Sequence, residues 1–144
     1  MTKAADAVAL FQRGLNCTQS ILLVFAKDFA LDMNIAARIS QGFGAGMGRS
    51  DEMCGSLSGA IMVIGLRYGG ISPDDKAAKE KTYAMVAKFL KEFKARHSSV
   101  LCTDLLGYNL SDPQQYAAAV THKVAKEKCP ADIRAAVELV EALI

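Results

Sequence analysis

Apolar residues in this sequence recur at helical spacing, and nowhere do they alternate with the period of two that a half-buried strand needs. A chain with that pattern buries its apolar stripes by packing helix on helix. The stops between the stripes divide it further. Residues 2–13 read as a first helix, with Ala7, Leu10 and Phe11 apolar and Gly14 as its stop. Asn16 is placed to cap a second helix over residues 17–29, whose Ile21, Leu22, Val24 and Phe25 form a core stripe. Asn34 is expected to cap a short third helix carrying Ile35, Ala36 and Ile39, ended by Gly42.

Residues 42–49 follow, Gly-Phe-Gly-Ala-Gly-Met-Gly-Arg, with glycines at alternate positions. The run fits neither G-x-G-x-x-G nor G-x-x-x-x-G-K-[ST], and no strand precedes it, so a phosphate loop is excluded. A loop wrapped on the start of the next helix is expected instead, with Gly44, Gly46 and Gly48 structural. That fourth helix spans residues 54–68. Gly55, Ser56, Ser58, Gly59 and Ala60 make its first half small, which suits close backbone approach at Gly55 and Gly59. Residues 61–66 are apolar nearly all round and are expected at the centre of the core.

Ser72-Pro73-Asp74-Asp75 reads as the start of a long helix to His97, with Val86, Phe89, Leu90 and Phe93 inward and Lys79, Lys88, Lys91, Glu92 and Lys94 solvated. A short helix over 101–106 stops at Gly107, another runs from Asp112-Pro113 to about residue 128, and Cys129-Pro130 is expected to begin the last. The fold class is therefore all-α, a compact bundle of about seven or eight helices.

The 144 residues, with neither repeat nor linker, imply one domain over 1–144. A chain this long buries about 68–70% of its unfolded surface, enough for a core without staples. Hydrophobic residues at 51% and charged ones at 22% exclude a disordered tail. A net charge of +2, from 17 basic and 15 acidic residues, does not mark a nucleic-acid binder. The N-terminal residues carry no signal-peptide h-region, and the most apolar stretch, residues 60–66, is far shorter than the ~20 residues of a membrane span. A cytoplasmic location is expected, without membrane span or nucleic-acid partner. A homodimer is the commonest oligomer for such a domain.

In that setting the four cysteines, Cys17, Cys54, Cys102 and Cys129, are the unusual feature, because structural disulfides are rare in the cytoplasm. Buried filler is the plain alternative. Each is expected at or near a helix start, where the positive end of the helix lowers a thiol's pKa and favours the thiolate, which is both nucleophile and metal ligand. Arg49 would add to this, whereas Asp51 and Glu52 would oppose it. No two cysteines form C-x-x-C, which disfavours thioredoxin-like motifs, zinc ribbons and haem attachment. Converging helix starts could still hold an iron–sulfur cluster or zinc through all four thiolates, or set thiol pairs for disulfide exchange. His97 and His122 lie among lysines and are expected in solvent, and Met47, Met53 and Met62 are expected to pack.

Several segments carry a resemblance. They are Gly14-Leu15-Asn16-Cys17-Thr18-Gln19-Ser20, the glycine run, Cys54-Gly55-Ser56-Leu57-Ser58-Gly59-Ala60-Ile61-Met62, Leu101-Cys102-Thr103-Asp104-Leu105-Leu106-Gly107 and Lys128-Cys129-Pro130. Over most of its length the chain resembles the redox-active proteins named for the motif C…GCAxxG…C…C, with a CGAxxG core. Its four cysteines fall on the family's four, and Ser56 stands where the motif has Ala. The resemblance implies a small helical protein of bacteria or archaea with a redox role for the cysteines, and it implies no substrate. A related domain in cytochromes that carry an iron–sulfur centre supports the cluster alternative; no haem motif is present here.

Three functions follow as expectations. The first is thiol–disulfide chemistry with an unidentified redox partner, Cys17 and Cys54 reactive and Cys102 and Cys129 resolving or auxiliary. The second is a cysteine-ligated metal site, iron–sulfur before zinc, through the same four residues. The third is an interaction protein whose cysteines are core.

Overall fold

The computed structural model describes all residues, Met1–Ile144, and is all-α. Its elements are α1 (Lys3–Gln12), α2 (Cys17–Ala26) with a 3-10 turn at Lys27–Phe29, α3 (Met33–Gln41), α4 (Gly44–Arg49), α5 (Gly55–Tyr68), α6 (Lys76–His97), α7 (Cys102–Leu106), α8 (Pro113–Thr121) and α9 (Val124–Glu141). The turn α4 is left-handed, leaving eight right-handed helices, within the expected range. No helix is long and apolar enough to cross a membrane.

The helix starts follow local capping chemistry. The Thr2 hydroxyl accepts from Ala5 N at 3.1 Å, and Asn16 and Gln19 form a reciprocal capping box on α2. Asp112 caps α8 with Pro113 in the first turn, as expected. Three starts differ from the sequence reading. Asp32, not Asn34, caps α3, because its carboxylate accepts from Ile35 N at 2.9 Å. Asp75 caps α6 by accepting from Ala78 N at 3.0 Å, while Ser72-Pro73 forms the preceding turn, its hydroxyl accepting from Asp74 N. Cys129-Pro130 begins no helix. The break lies at Lys123, whose φ of 52° is left-handed, and α9 then runs unbroken through Pro130. The proline removes one intrahelical bond, to the carbonyl of Lys126, a residue on the solvent side that water can serve.

The central helix is α2: nine of its ten residues are buried. It packs against α1, α3 and most extensively α5. The small half of α5 is buried throughout, Gly55 to Ala60; of the bulky half, Val63 and Ile64 are in the core as expected, whereas Leu66 is exposed. Small residues let the two helix backbones close up. A β-carbon on Gly59 would lie 3.1 Å from both Ile21 Cβ and the Thr18 carbonyl. The main core also takes Phe89 and Phe93 from α6 and Ile133, Val137 and Val140 from α9, all fully buried. Each such side chain stabilises by about 1.5–3 kcal/mol. The α6 lysines form a solvated face, as expected. A second, small cluster of Leu106, Ala119 and Val124 joins α7, α8 and α9.

Candidate functional site

The four cysteines come from four separate elements. Cys17 is the first residue of α2, Cys54 the N-cap of α5 and Cys102 the first residue of α7. Cys129 sits inside α9, so the expectation that all four stand at helix N-termini is corrected for this one. Cys129 shares its helix face with Asp132, three positions on.

Local backbone geometry draws the first three together. An isolated antiparallel bridge pairs Met53 with Leu101. Around it Cys54 N donates to the Val100 carbonyl at 2.8 Å and Cys102 N to the Glu52 carbonyl at 3.0 Å. Cys17 is fixed by the capping box below it, and by Thr18, whose hydroxyl donates to the Gly55 carbonyl at 2.9 Å. Gly55 itself has no room for a side chain: a β-carbon there would collide with Cys17 Sγ and stand 2.5 Å from Thr18 Oγ1. Asn16 Nδ2 donates to the Gln41 carbonyl at 2.8 Å, and the same side chain fills the space over buried Gly44.

The glycine run folds as α4, a left-handed turn. Ala45, Gly46, Met47, Gly48 and Arg49 have φ of 57°, 68°, 59°, 69° and 64°. Residues other than glycine lose about 1–2 kcal/mol each in this conformation, so glycine at 46 and 48 limits the strain. What the turn delivers is contact with the thiols. Backbone hydrogen bonding from Ala45 reaches the Cys17 thiol, and Gly46 lies against Cys102, where a β-carbon would be 2.8 Å from Cys102 Cβ. The turn also covers the start of α5, as expected, with Gly44 Cα 3.2 Å from the β-carbon position of Gly55. Strained backbone of this kind concentrates at functional sites.

Around these elements lies a cavity of about 100 Å³ lined by all four cysteines, with Asp132 and almost wholly apolar surroundings. Left empty, an apolar void of that size costs about 2 kcal/mol. All four cysteines are free thiols. Cys17 and Cys54 are buried in the main core, while Cys102 and Cys129 are half-buried beside the small cluster.

Burial sets the thiol acidity. The expectation of lowered thiol pKa values is overturned: desolvation pushes Cys17 and Cys54 up, Cys54 strongly, despite backbone donors from Ala45 and Thr18 to the first and Ser56 to the second. Cys129 is pushed up strongly as well, and the more open Cys102 to about 11. Removing a thiolate from water outweighs the helix-terminal amides. In the last three the charge of Cys17 adds to the rise, ahead of any other charge.

Two residues at the site carried no sequence signal. Asp132 is buried, its carboxyl pushed up by desolvation and held back by His97. His97 Nδ1 lies 3.1 Å from Asp132 Oδ1, and its ring stacks on Phe93 at 4.6 Å, so it is not the solvated histidine expected. His122 does lie in solvent. Met53 and Met62 pack against the core, whereas Met47 is exposed on the left-handed turn.

A protein-family model described as "Putative redox-active protein (C_GCAxxG_C_C)" matches residues 15–143, a span that holds all four thiols and the turn between them. The chain belongs to the C_GCAxxG_C_C family. No curated protein and no solved structure matches it. The family's four cysteines thus correspond here to one cavity wall, and its glycine-rich segments to the contacts that shape it. One departure has a visible consequence. Ser56, in place of the motif's Ala, buries a hydroxyl with no hydrogen-bond partner, as Ser58 also does.

Fit to a metal can be tested on the donor set. No three of the cysteine, histidine and acidic side chains gather within reach of a single ion, so one zinc ion does not fit this arrangement. A multi-iron cluster takes thiolates from farther apart, and the cavity between the four thiols is the space it would occupy.

Proposed function

We propose that this chain is a thiol–disulfide redox protein whose four cysteines work as one centre. The observation that carries the reading is the layering of four free thiols around one cavity: an inner pair, Cys17 and Cys54, and a more accessible pair, Cys102 and Cys129. In the exchange two protein thiols give up two protons and two electrons and join as a disulfide, while an incoming disulfide takes up both and its S–S bond breaks to give two thiols. Accessibility supports Cys102 as the thiol that meets the partner, the reverse of the order expected from the sequence, since it is half-exposed whereas Cys17 and Cys54 are buried, with the inner cysteines resolving the mixed disulfide.

The test is mass spectrometry of protein purified without oxygen, before and after mild oxidation. An intramolecular disulfide, seen as the loss of two hydrogens and mapped to these cysteines, is expected. Four intact thiols after oxidation would overturn the reading. The cavity favours a second reading, an iron–sulfur cluster held by Cys17, Cys54, Cys102 and Cys129, which would supply one-electron transfer. A brown protein with stoichiometric iron and sulfide after anaerobic purification would replace the first reading with this one.

A further inference from the structure

The thiol cavity opens beside a groove of about 480 Å³ that shares Ala45, Leu106, Leu110 and Ala125 with its lining. The floor of the groove is apolar. Its polar rim is basic: Arg49, Lys123 and Lys126 line it, and no acidic residue does. None of these cations is spent elsewhere in the molecule, whose two ion pairs are Lys3–Asp28 and His97–Asp132. Arg49 is also held in place. The left-handed turn projects it toward α8, where its guanidinium lies 4.5 Å from the Tyr116 ring centroid. Stacking of that kind leaves the planar edge of the guanidinium free to pair with a carboxylate. Lys123 stands at the left-handed residue that opens α9, and Lys126 one turn beyond.

Three unpaired cations around an apolar floor fit an occupant that is anionic at one end and apolar in the middle. Continuity with the cavity places the middle of that occupant toward the thiols. We infer that the groove binds a small organic disulfide bearing carboxylates, the oxidant that the cysteines reduce. This rests on the thiol–disulfide reading above. Its carboxylates pair with Arg49, Lys123 and Lys126, and its sulfurs reach the cavity past Ala125. The S–S bond of the ligand takes the two electrons of two protein thiols and leaves as two acidic thiols, while the protein keeps the new disulfide. Selectivity then comes from charge outside the cavity, because the cavity wall is almost wholly apolar.

The test uses the whole reduced protein and three disulfides of similar size: dithiodiglycolate, a dianion; hydroxyethyl disulfide, neutral; and cystamine, a dication. The second-order rate of protein thiol loss is measured for each at low and high salt. The dianion is expected to react at least tenfold faster than the neutral probe at low salt, with cystamine slowest and the differences shrinking in high salt. The ratio of dianion to neutral rates is expected to fall about tenfold in the double variant Lys123→Gln/Lys126→Gln. It is expected to hold in Lys91→Gln, which removes a charge from the solvated face of α6. Using a ratio removes any general effect of the substitutions on the thiols. A ratio near one, or an equal fall in Lys91→Gln, overturns the groove assignment and leaves the disulfide reading standing. If none of the three probes oxidises the protein, the thiol–disulfide reading fails, and the groove assignment with it.

Discussion

Three glycines around the left-handed turn separate two costs that are usually confounded. Gly48 has φ of 69°, and a β-carbon there would meet nothing nearer than the Gly42 carbonyl at 3.8 Å. Gly48→Ala therefore carries only the left-handed penalty, about 1–2 kcal/mol, partly offset by the lower entropy of the unfolded chain. Gly46 has nearly the same φ, 68°, but its β-carbon would stand 2.8 Å from Cys102 Cβ and 3.2 Å from the backbone carbonyl of Glu52. Those neighbours are a β-carbon and backbone, which cannot swing aside. Overpacking adds about 1–3 kcal/mol, so Gly46→Ala should cost about 2–5 kcal/mol in all. Gly42 has an ordinary right-handed conformation with open space around it, and Gly42→Ala should be neutral or stabilise by up to about 1 kcal/mol. The assay is urea unfolding of the three variants under reducing, anaerobic conditions, followed by helix signal and compared at constant slope. A parallel readout is the alkylation rate of Cys102, which should change in Gly46→Ala and not in Gly48→Ala. Equal destabilisation of the two, with equal thiol reactivity, would refute the claim that the turn is built against Cys102.

Other outcomes follow from the same geometry. Ser56→Ala removes a buried hydroxyl without a partner and should stabilise the protein by about 1 kcal/mol in the same unfolding assay; destabilisation would show that the hydroxyl is bonded. Iodoacetamide should modify Cys102 about tenfold faster for each pH unit up to about 11, whereas an ordinary thiol levels off near 9; a plateau by pH 9 would contradict the burial argument. The folded-state pKa values of Cys17 and Cys54 lie above their ordinary value of 9.0, so the folded protein keeps protons that the unfolded chain releases. Stability should therefore be full below pH 9 and fall above it, by up to about 1.4 kcal/mol per pH unit for each thiol; urea midpoints that do not move between pH 9 and 10 would contradict this. Asp132 raises the pKa of Cys102 through its charge, so Asp132→Asn should speed Cys102 alkylation at pH 8, by up to about tenfold; a slower rate would refute the sign.

Much of the fold was legible because its signals are local. The Asn16 capping box and the Asp112-Pro113 start each act through neighbours two or three positions away. The misread starts show the limit of the same logic. Asp32 and Asn34 are both competent caps, and only the chain's path decides between them. Pro130 reads as a helix start in isolation, yet packing of α9 against α1 and α5 carries the helix through it. At the site, the identity of the four cysteines was plain, but their acidity was not, because burial is a property of the assembled core. Asp132 and His97 were invisible for a related reason: thirty-five positions apart in sequence, they meet only when α6 and α9 pack.

The bridge between Met53 and Leu101 has a further consequence for how the site is put together. Ile71 is fully exposed in the loop between α5 and α6, so a break there would leave two pieces of nearly equal length. The N-terminal piece carries Cys17 and Cys54, and the C-terminal piece carries Cys102 and Cys129. The inner and outer thiols therefore belong to opposite halves of the chain, and the bridge is the backbone contact that joins the halves beside the cysteines, in addition to the packing of α9 on α1 and α5. Neither half holds all four cysteines, and the cavity they line is complete only when the halves are joined.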